Sequence, residues 1–106
     1  MSKIKSASLL AASLIVMMSS TAFAADGKAL YLAKGCMACH GMDAKTPIMP
    51  LYPKIAGQSK EYTKQQMTDI KTGKRSNGQS AAMKGIMAGV SDEEITALSE
   101  YIAGLK

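Results

Sequence analysis

The sequence predicts an all-α domain built from three to five short helices, and three observations carry this prediction. No segment shows the strict alternation of apolar and polar residues that a half-buried strand requires. Apolar residues instead recur at steps of three and four, as they do on one face of a helix. These segments begin at good N-cap residues and are separated by glycine, proline and polar turns.

The N-terminal half is predicted to contain one helix and a long loop. Asp26 is a suitable N-cap for the first helix, and Gly35 ends it. The apolar side of this helix consists of Leu30, Tyr31 and Ala33. Residues 41–58 carry three prolines, which exclude a regular helix or a central strand, so this segment is predicted to be a loop.

The next helix is predicted to begin after Ser59, to run to about Thr72 and to stop at Gly73. The side of this helix that is predicted to pack against the rest of the domain carries Tyr62, Gln66 and Ile70 in one stripe, with Met67 beside it. Residues 74–80 are polar and turn-prone, which predicts a surface loop, and residues 81–88 have room for one or two helical turns.

The last helix has the clearest signals. Ser91 and Glu94 have the spacing of a capping box, in which each side chain bonds the backbone of the other residue. The apolar stripe that follows is Ile95, Leu98, Ile102 and Leu105.

Residues 36–40, with the sequence Cys-Met-Ala-Cys-His, hold both cysteines and the only histidine of the chain. Two thiols separated by two residues can add to the two vinyl groups of one haem, giving two thioether bonds through Cys36 and Cys39. His40 then lies beneath the iron, where its imidazole serves as an axial ligand. The motif therefore predicts one covalently attached haem c.

Other interpretations of these residues explain less. A structural zinc site needs four ligands, and the chain has only three Cys and His residues in total. A thioredoxin-like pair requires strands that the flanking residues do not predict. A simple disulfide between Cys36 and Cys39 would leave His40 without a role.

Residues 1–24 have the form of a signal peptide, with a basic start, an apolar centre and an Ala22-Phe23-Ala24 exit. Cleavage after Ala24 is expected, so residues 25–106 form one mature domain in the periplasm. The alternative is an uncleaved membrane anchor, which the serines in the apolar stretch disfavour. No stable membrane insertion is expected after cleavage.

Removing the leader takes away Lys3 and Lys5, which leaves 11 basic residues against 8 acidic ones and a net charge of +3. The two haem propionates would lower this charge further. The lysines are dispersed and the aromatic residues are few, so no nucleic-acid partner is expected.

A mature chain of this length buries only a small core, so the predicted haem would also be the group on which the short helices pack.

The second axial ligand must be something other than histidine. A methionine thioether is the usual partner, and six methionines lie beyond the leader: Met37, Met42, Met49, Met67, Met83 and Met87. Met37 and Met42 are too close to the motif, and Met67 is better placed for packing. Met49 stays open, and spacing alone does not choose between Met83 and Met87.

The chain resembles the class I c-type cytochromes, and within them the small monohaem cytochrome c553 and cytochrome c4-domain group. The resemblance covers residues 26–106 and rests on the attachment motif, on residues 53–58 and 65–67, and on Met83 followed by residues 90–95. It implies a small cytochrome c fold around one haem c. It also implies that Met83, eight residues before Ser91, is the second iron ligand and that the Pro53 carbonyl bonds the second nitrogen of His40, with Pro50 as a rival.

An iron with both axial sites filled has no open position for a substrate, so the expected function is one-electron transfer without catalysis. Expected partners are a quinol-oxidising complex or dehydrogenase as donor and an oxidase or reductase as acceptor, with surface lysines such as Lys34 and Lys54 steering them. Two alternatives remain: a haem c subunit of a periplasmic dehydrogenase complex with a flavoprotein partner, and a haem enzyme or sensor with an open sixth site.

Overall fold

The computed structural model describes residues 26–106, in which five helices and no strands are present. The helices are α1 (Gly27–Ala33), α2 (Met37–His40), α3 (Lys60–Thr72), α4 (Ser80–Met87) and α5 (Asp92–Ala103). The predicted all-α class with three to five helices is confirmed. The predicted signal peptide over residues 1–24 lies outside the described residues.

Three helices, α1, α3 and α5, begin where the local signals predict. The Asp26 carboxylate accepts hydrogen bonds from the backbone of Lys28 and Ala29 at the start of α1. Ser59 caps α3, and Gly73 ends it with a φ of 86°. The capping box of α5 is complete, because the Ser91 hydroxyl and the Glu94 carboxylate each bond the backbone of the other residue.

The core forms where α5 packs against α1 and α3, and where α3 packs against α4. Its apolar residues include Tyr31 from α1, Met67 and Ile70 from α3, Met87 and Val90 around the end of α4, and Ile95 and Leu98 from α5. The Tyr31 ring lies 5.7 Å from the Tyr101 ring, and its hydroxyl donates a 2.6 Å hydrogen bond to the Gly41 carbonyl. Burial raises the pKa of Tyr31 to about 12, so this donor keeps its proton across the physiological range.

Four details of the sequence prediction were wrong. The attachment motif forms a short helix of its own, α2, which was not predicted. Ala33 is exposed, and the buried stripe of α3 is Thr63, Met67 and Ile70, since Tyr62 is 53% exposed. Residues 74–80 are not wholly a surface loop, because Ser80 is buried.

Candidate cofactor site

A cavity of about 390 Å³ opens between the attachment motif and the three C-terminal helices. The residues of the motif that line it are Cys36, Cys39 and His40. Its apolar lining continues through Ile55, Met67, Ile70, Leu98 and Ile102. Walls of this kind suit a flat, largely apolar group held between helices.

His40 is only 8% exposed, and its ring has a fixed partner. Its Nδ1 atom lies 2.8 Å from the carbonyl oxygen of Pro53. A carbonyl oxygen only accepts hydrogen bonds, so Nδ1 carries the proton of this bond. In the neutral ring Nε2 then keeps its lone pair, which is the state that an iron ligand requires. In this structure the carbonyl that faces the ring belongs to Pro53.

The loop that supplies Pro53 is held against the motif by its own backbone. Ile48 donates its amide to the Cys39 carbonyl at 3.1 Å, and both Ile55 and Ala56 donate to the Ala44 carbonyl. The Asp43 carboxylate accepts from the backbone of Lys45 and Thr46, which holds the pKa of Asp43 below its usual value. These bonds fix the loop from which the Pro53 carbonyl reaches the ring.

Cys36 and Cys39 are half-buried, and no disulfide joins them in the described part of the chain. Burial raises the pKa of the Cys36 thiol. Within residues 26–106, no group of three or more His, Cys, Asp or Glu side chains is placed to hold a metal ion. Both thiols line the cavity together with His40, which is the arrangement that attachment of one haem needs.

The methionines differ in their surroundings. Met83 on α4 lines the cavity and is half-buried. Met87 and Met67 also line it, but they are 2% and 5% exposed and belong to the packed core. Met49 and Met42 are 43% and 70% exposed, and neither is among the described residues of the cavity wall.

The charged residues in the described part of the cavity wall are Lys54 and Arg75, and no carboxylate accompanies them there. The Arg75 Nη1 atom donates to Gln66 Oε1 at 3.0 Å, and its Nε atom donates to Asn77 Oδ1 at 3.3 Å. A guanidinium has five N–H groups, so Arg75 retains donors for an anion. The two cations fit the two propionates of a haem, so both the apolar walls and the charges of the cavity suit this group.

Arg75 was missed from the sequence, where its segment looked like an ordinary polar surface loop. The signal that could have found it is the negative charge of the expected cofactor. A buried cofactor with two carboxylates needs nearby cations, and residues 74–80 bring Arg75 to the cavity at the end of α3.

A helical shell around a cavity that carries two thiols and an adjacent, oriented histidine defines the class of c-type haem proteins. Comparison with known proteins gives the family: the cytochrome c family model matches residues 24–106. The chain therefore belongs to the cytochrome c family, and the resemblance to class I c-type cytochromes is confirmed.

Individual relatives agree with this assignment. Cytochrome c4 of Pseudomonas aeruginosa is 41% identical over 71 residues, which cover 67% of this chain and 33% of that protein. A protein named thiosulfate dehydrogenase electron acceptor, from Stutzerimonas stutzeri, is 35% identical over 97 residues, which cover 85% of this chain and 44% of that protein. The crystal structure of reduced recombinant cytochrome c4 from Pseudomonas stutzeri superposes with a TM-score of 0.67 at 36% identity, over 76% of this chain and 46% of that one.

Each of these matches spans about a third to a half of the relative's length. Family membership implies that haem c is bound covalently. Across residues 26–106, no helix has the length and apolar character needed to span a membrane.

Proposed function

We propose that the protein is a periplasmic one-electron carrier whose haem c is attached through Cys36 and Cys39 and ligated by His40 and Met83. The observation that carries this proposal is that one apolar cavity is lined by both thiols, by the oriented histidine and by a half-buried methionine. Haem bound there supplies the gain and loss of one electron at its iron.

The residues of the chain have separate roles in this proposal. Pro53 accepts the hydrogen bond from His40 Nδ1 and thereby fixes the orientation and tautomer of the ring. Met83 would hold the iron together with His40 and would leave it no open position for a substrate. Lys54 and Arg75 would neutralise the propionates of a bound haem, and the apolar walls would keep water from it.

The choice of Met83 is tested with Met83→Leu, which keeps the volume of the side chain but removes the sulfur. We expect the variant to become high-spin, to lose the weak sulfur-to-iron charge-transfer band, and to bind carbon monoxide rapidly when reduced. Met87→Leu and Met49→Leu are the matched controls and should keep the band. A band that persists in Met83→Leu and disappears in Met87→Leu would assign the ligand to Met87.

The same carbon monoxide measurement on the unmodified protein tests the alternative of a haem enzyme or sensor. Rapid binding by the reduced protein at neutral pH would mean that the sixth position is open, and it would contradict the carrier.

A potentiometric titration followed optically gives the reduction potential of the haem. A carrier should have a potential between that of its donor, such as a quinol-oxidising complex or dehydrogenase, and that of its acceptor oxidase or reductase.

Export is tested by the mass of the protein recovered from the periplasm. Cleavage after Ala24 gives a chain that begins at Ala25, and its intact mass should include one haem. A mass that retains residues 1–24 would instead favour the membrane anchor.

A second candidate, a haem c subunit of a periplasmic dehydrogenase complex, is favoured by one surface. The proline-rich loop exposes Ile48 by 66% and Met42 by 70%, with Met49 also exposed. An apolar surface of this kind is typical of a partner contact. The relative whose printed name makes it the electron acceptor of a thiosulfate dehydrogenase gives such a partner a precedent. Stable co-purification with a flavoprotein, lost in an Ile48→Ser, Met42→Ser variant, would favour the subunit over the free carrier.

A further inference from the structure

The turn that follows α4, residues 88–91, is bound by two lysines from different helices. Lys34, at the end of α1, donates its Nζ to the Gly89 carbonyl at 2.7 Å. Lys71, in the last turn of α3, donates its Nζ to the Val90 carbonyl. Two adjacent backbone acceptors of one turn are therefore each held by an ammonium group.

Lys34 is also part of a small ionic network. Its Nζ lies 3.5 Å from Glu94 Oε1, and the same oxygen accepts the Ser91 amide at 2.9 Å. The Lys34 and Glu94 side chains are each only 27% exposed, so the network is partly shielded from solvent. Hydrogen bonds with a charged donor are stronger than neutral ones. The backbone of the turn is thus fixed on both sides of Val90.

The helix that precedes this turn needs such support. α4 has eight residues, and its N-cap, Gln79, makes no side-chain capping bond. Helices of this length are marginal on their own. Its position therefore depends on packing by Met87 and on the bonds at its C-terminal end, and α4 is the helix that carries Met83.

We propose that Lys34 and Lys71 are positioning residues that hold α4 so that Met83 remains on the iron, an inference that rests on the proposed Met83 ligation. Lys34 stands two residues before Cys36 and is separated from Gly89 by 55 residues in sequence. It therefore joins the segment that attaches the haem to the turn that ends the methionine helix.

The test uses the haem-loaded protein and the variants Lys34→Met and Lys71→Met, which keep most of the apolar stem. Imidazole binds the oxidised iron only after the methionine leaves, so its binding rate measures opening of the Met83 side. We expect each variant to bind imidazole about tenfold faster than the unmodified protein, as loss of one charge-assisted hydrogen bond predicts. The sulfur-to-iron band should also disappear on heating well before the helical circular dichroism signal does.

Lys60→Met is the matched control, because Lys60 forms an ion pair with Glu100 on α5 at 3.0 Å, as Lys34 does with Glu94. The hydrogen bond of Lys60 is to Glu100 and not to the turn after α4. It should leave the imidazole rate within about twofold of the unmodified protein. If Lys71→Met, whose site is half-buried, does not accumulate as folded protein, Lys34→Met decides the question.

Two outcomes would overturn the inference. One is an imidazole binding rate in Lys34→Met equal to that of Lys60→Met. The other is an equal fall of the temperatures at which the sulfur-to-iron band and the helical circular dichroism signal are lost, which would show a general loss of stability. The proposed function fails separately. An unmodified protein without the sulfur-to-iron band lacks methionine ligation altogether, whereas a normal band with unchanged rates removes only the lysine role.

Discussion

The two sides of the cavity are built in different ways. On the attachment side, residues 36–56, the hydrogen bonds join residues close in sequence, as when His40 bonds Pro53 thirteen residues later. On the methionine side, formed by α3, α4 and α5, the helix that carries Met83 is held by residues from elsewhere, including Lys34, which is 55 residues from its acceptor. His40 is therefore oriented by its own loop, whereas the position of Met83 depends on the assembled fold.

The two sides also differ in how far their large apolar side chains are exposed. The loop on the attachment side exposes large apolar side chains such as Ile48 and Met42. The methionine side buries most of its large apolar residues, among them Ile70 and Ile95, in the core between helices, and Tyr62 and Ile86 are its exposed ones. Local backbone bonds thus allow the attachment side to hold its shape without covering these apolar residues.

The largest effect is expected when the covalent link on the attachment side is removed with a Cys36→Ala, Cys39→Ala double variant. A domain of this size has a small core, and the cavity would lose the group on which its helices pack. We expect most of the helical signal and the cooperative thermal transition to be lost. Met42→Ala, at a side chain that is 70% exposed, should change neither signal. A native-like transition in the double variant would show that the methionine side folds alone.

The next effect is expected at Gly41, which ends α2 with a φ of 90°. A Cβ at this position would lie 2.2 Å from the Thr46 carbonyl oxygen, which belongs to the backbone and cannot turn aside. We expect Gly41→Ala to cost roughly 3 kcal/mol or more, and to lower the melting temperature accordingly.

Gly73→Ala provides the comparison, because Gly73 also has a positive φ, 86°, but a Cβ there would meet only the flexible end of the Lys84 side chain, at 3.0 Å. Only the conformational cost remains, about 1 kcal/mol. Equal melting temperatures for the two variants would mean that the loop after the motif yields easily, and that the attachment side is not fixed by its local contacts.

The sequence was sufficient wherever a feature depends on neighbouring residues. Ser59 and Gly73 gave the bounds of α3, and Ser91 with Glu94 gave the start of α5, because caps are interactions over two or three residues. The attachment motif was readable for the same reason.

Features that depend on distant residues were not readable. Which face of α3 is buried depends on where α4 and α5 pack. For this reason the observed buried stripe contains Thr63, whereas the predicted stripe contained Tyr62. The internal bonds of Lys34 and the position of Arg75 at the cavity also arise only in the assembled fold. The methionine side was therefore the harder one to predict.

A smaller effect is expected from the charge of Glu94, where the two sides meet. The bond from the Ser91 amide, with a further contribution from Lys34, holds the pKa of Glu94 below its ordinary value. A carboxyl group with a lowered pKa stabilises the folded state above its unfolded pKa, near 4.5, and loses this contribution as the pH falls through its folded pKa. Glu94→Gln retains a capping acceptor but not the charge. We expect its melting temperature to be a few degrees lower at pH 7.

The pH dependence identifies the cause. The difference between Glu94→Gln and the unmodified protein should be largest above about pH 5 and should vanish at pH values below the folded pKa of Glu94. A difference that stays constant down to pH 3 would assign the effect to side-chain geometry.

The smallest effect, and the only one of opposite sign, is expected at Thr63 on the methionine side. Its hydroxyl is buried and has no hydrogen-bond partner among the described residues. Since an unpaired buried polar group costs about 1–3 kcal/mol and valine has nearly the same shape, Thr63→Val should stabilise the protein by about 1 kcal/mol. Thr96→Val is the control, because the Thr96 hydroxyl already bonds the Asp92 carbonyl and its loss brings no gain. Should Thr63→Val melt at a lower temperature, the hydroxyl has a partner in the haem-loaded protein, and α3 also positions the cofactor.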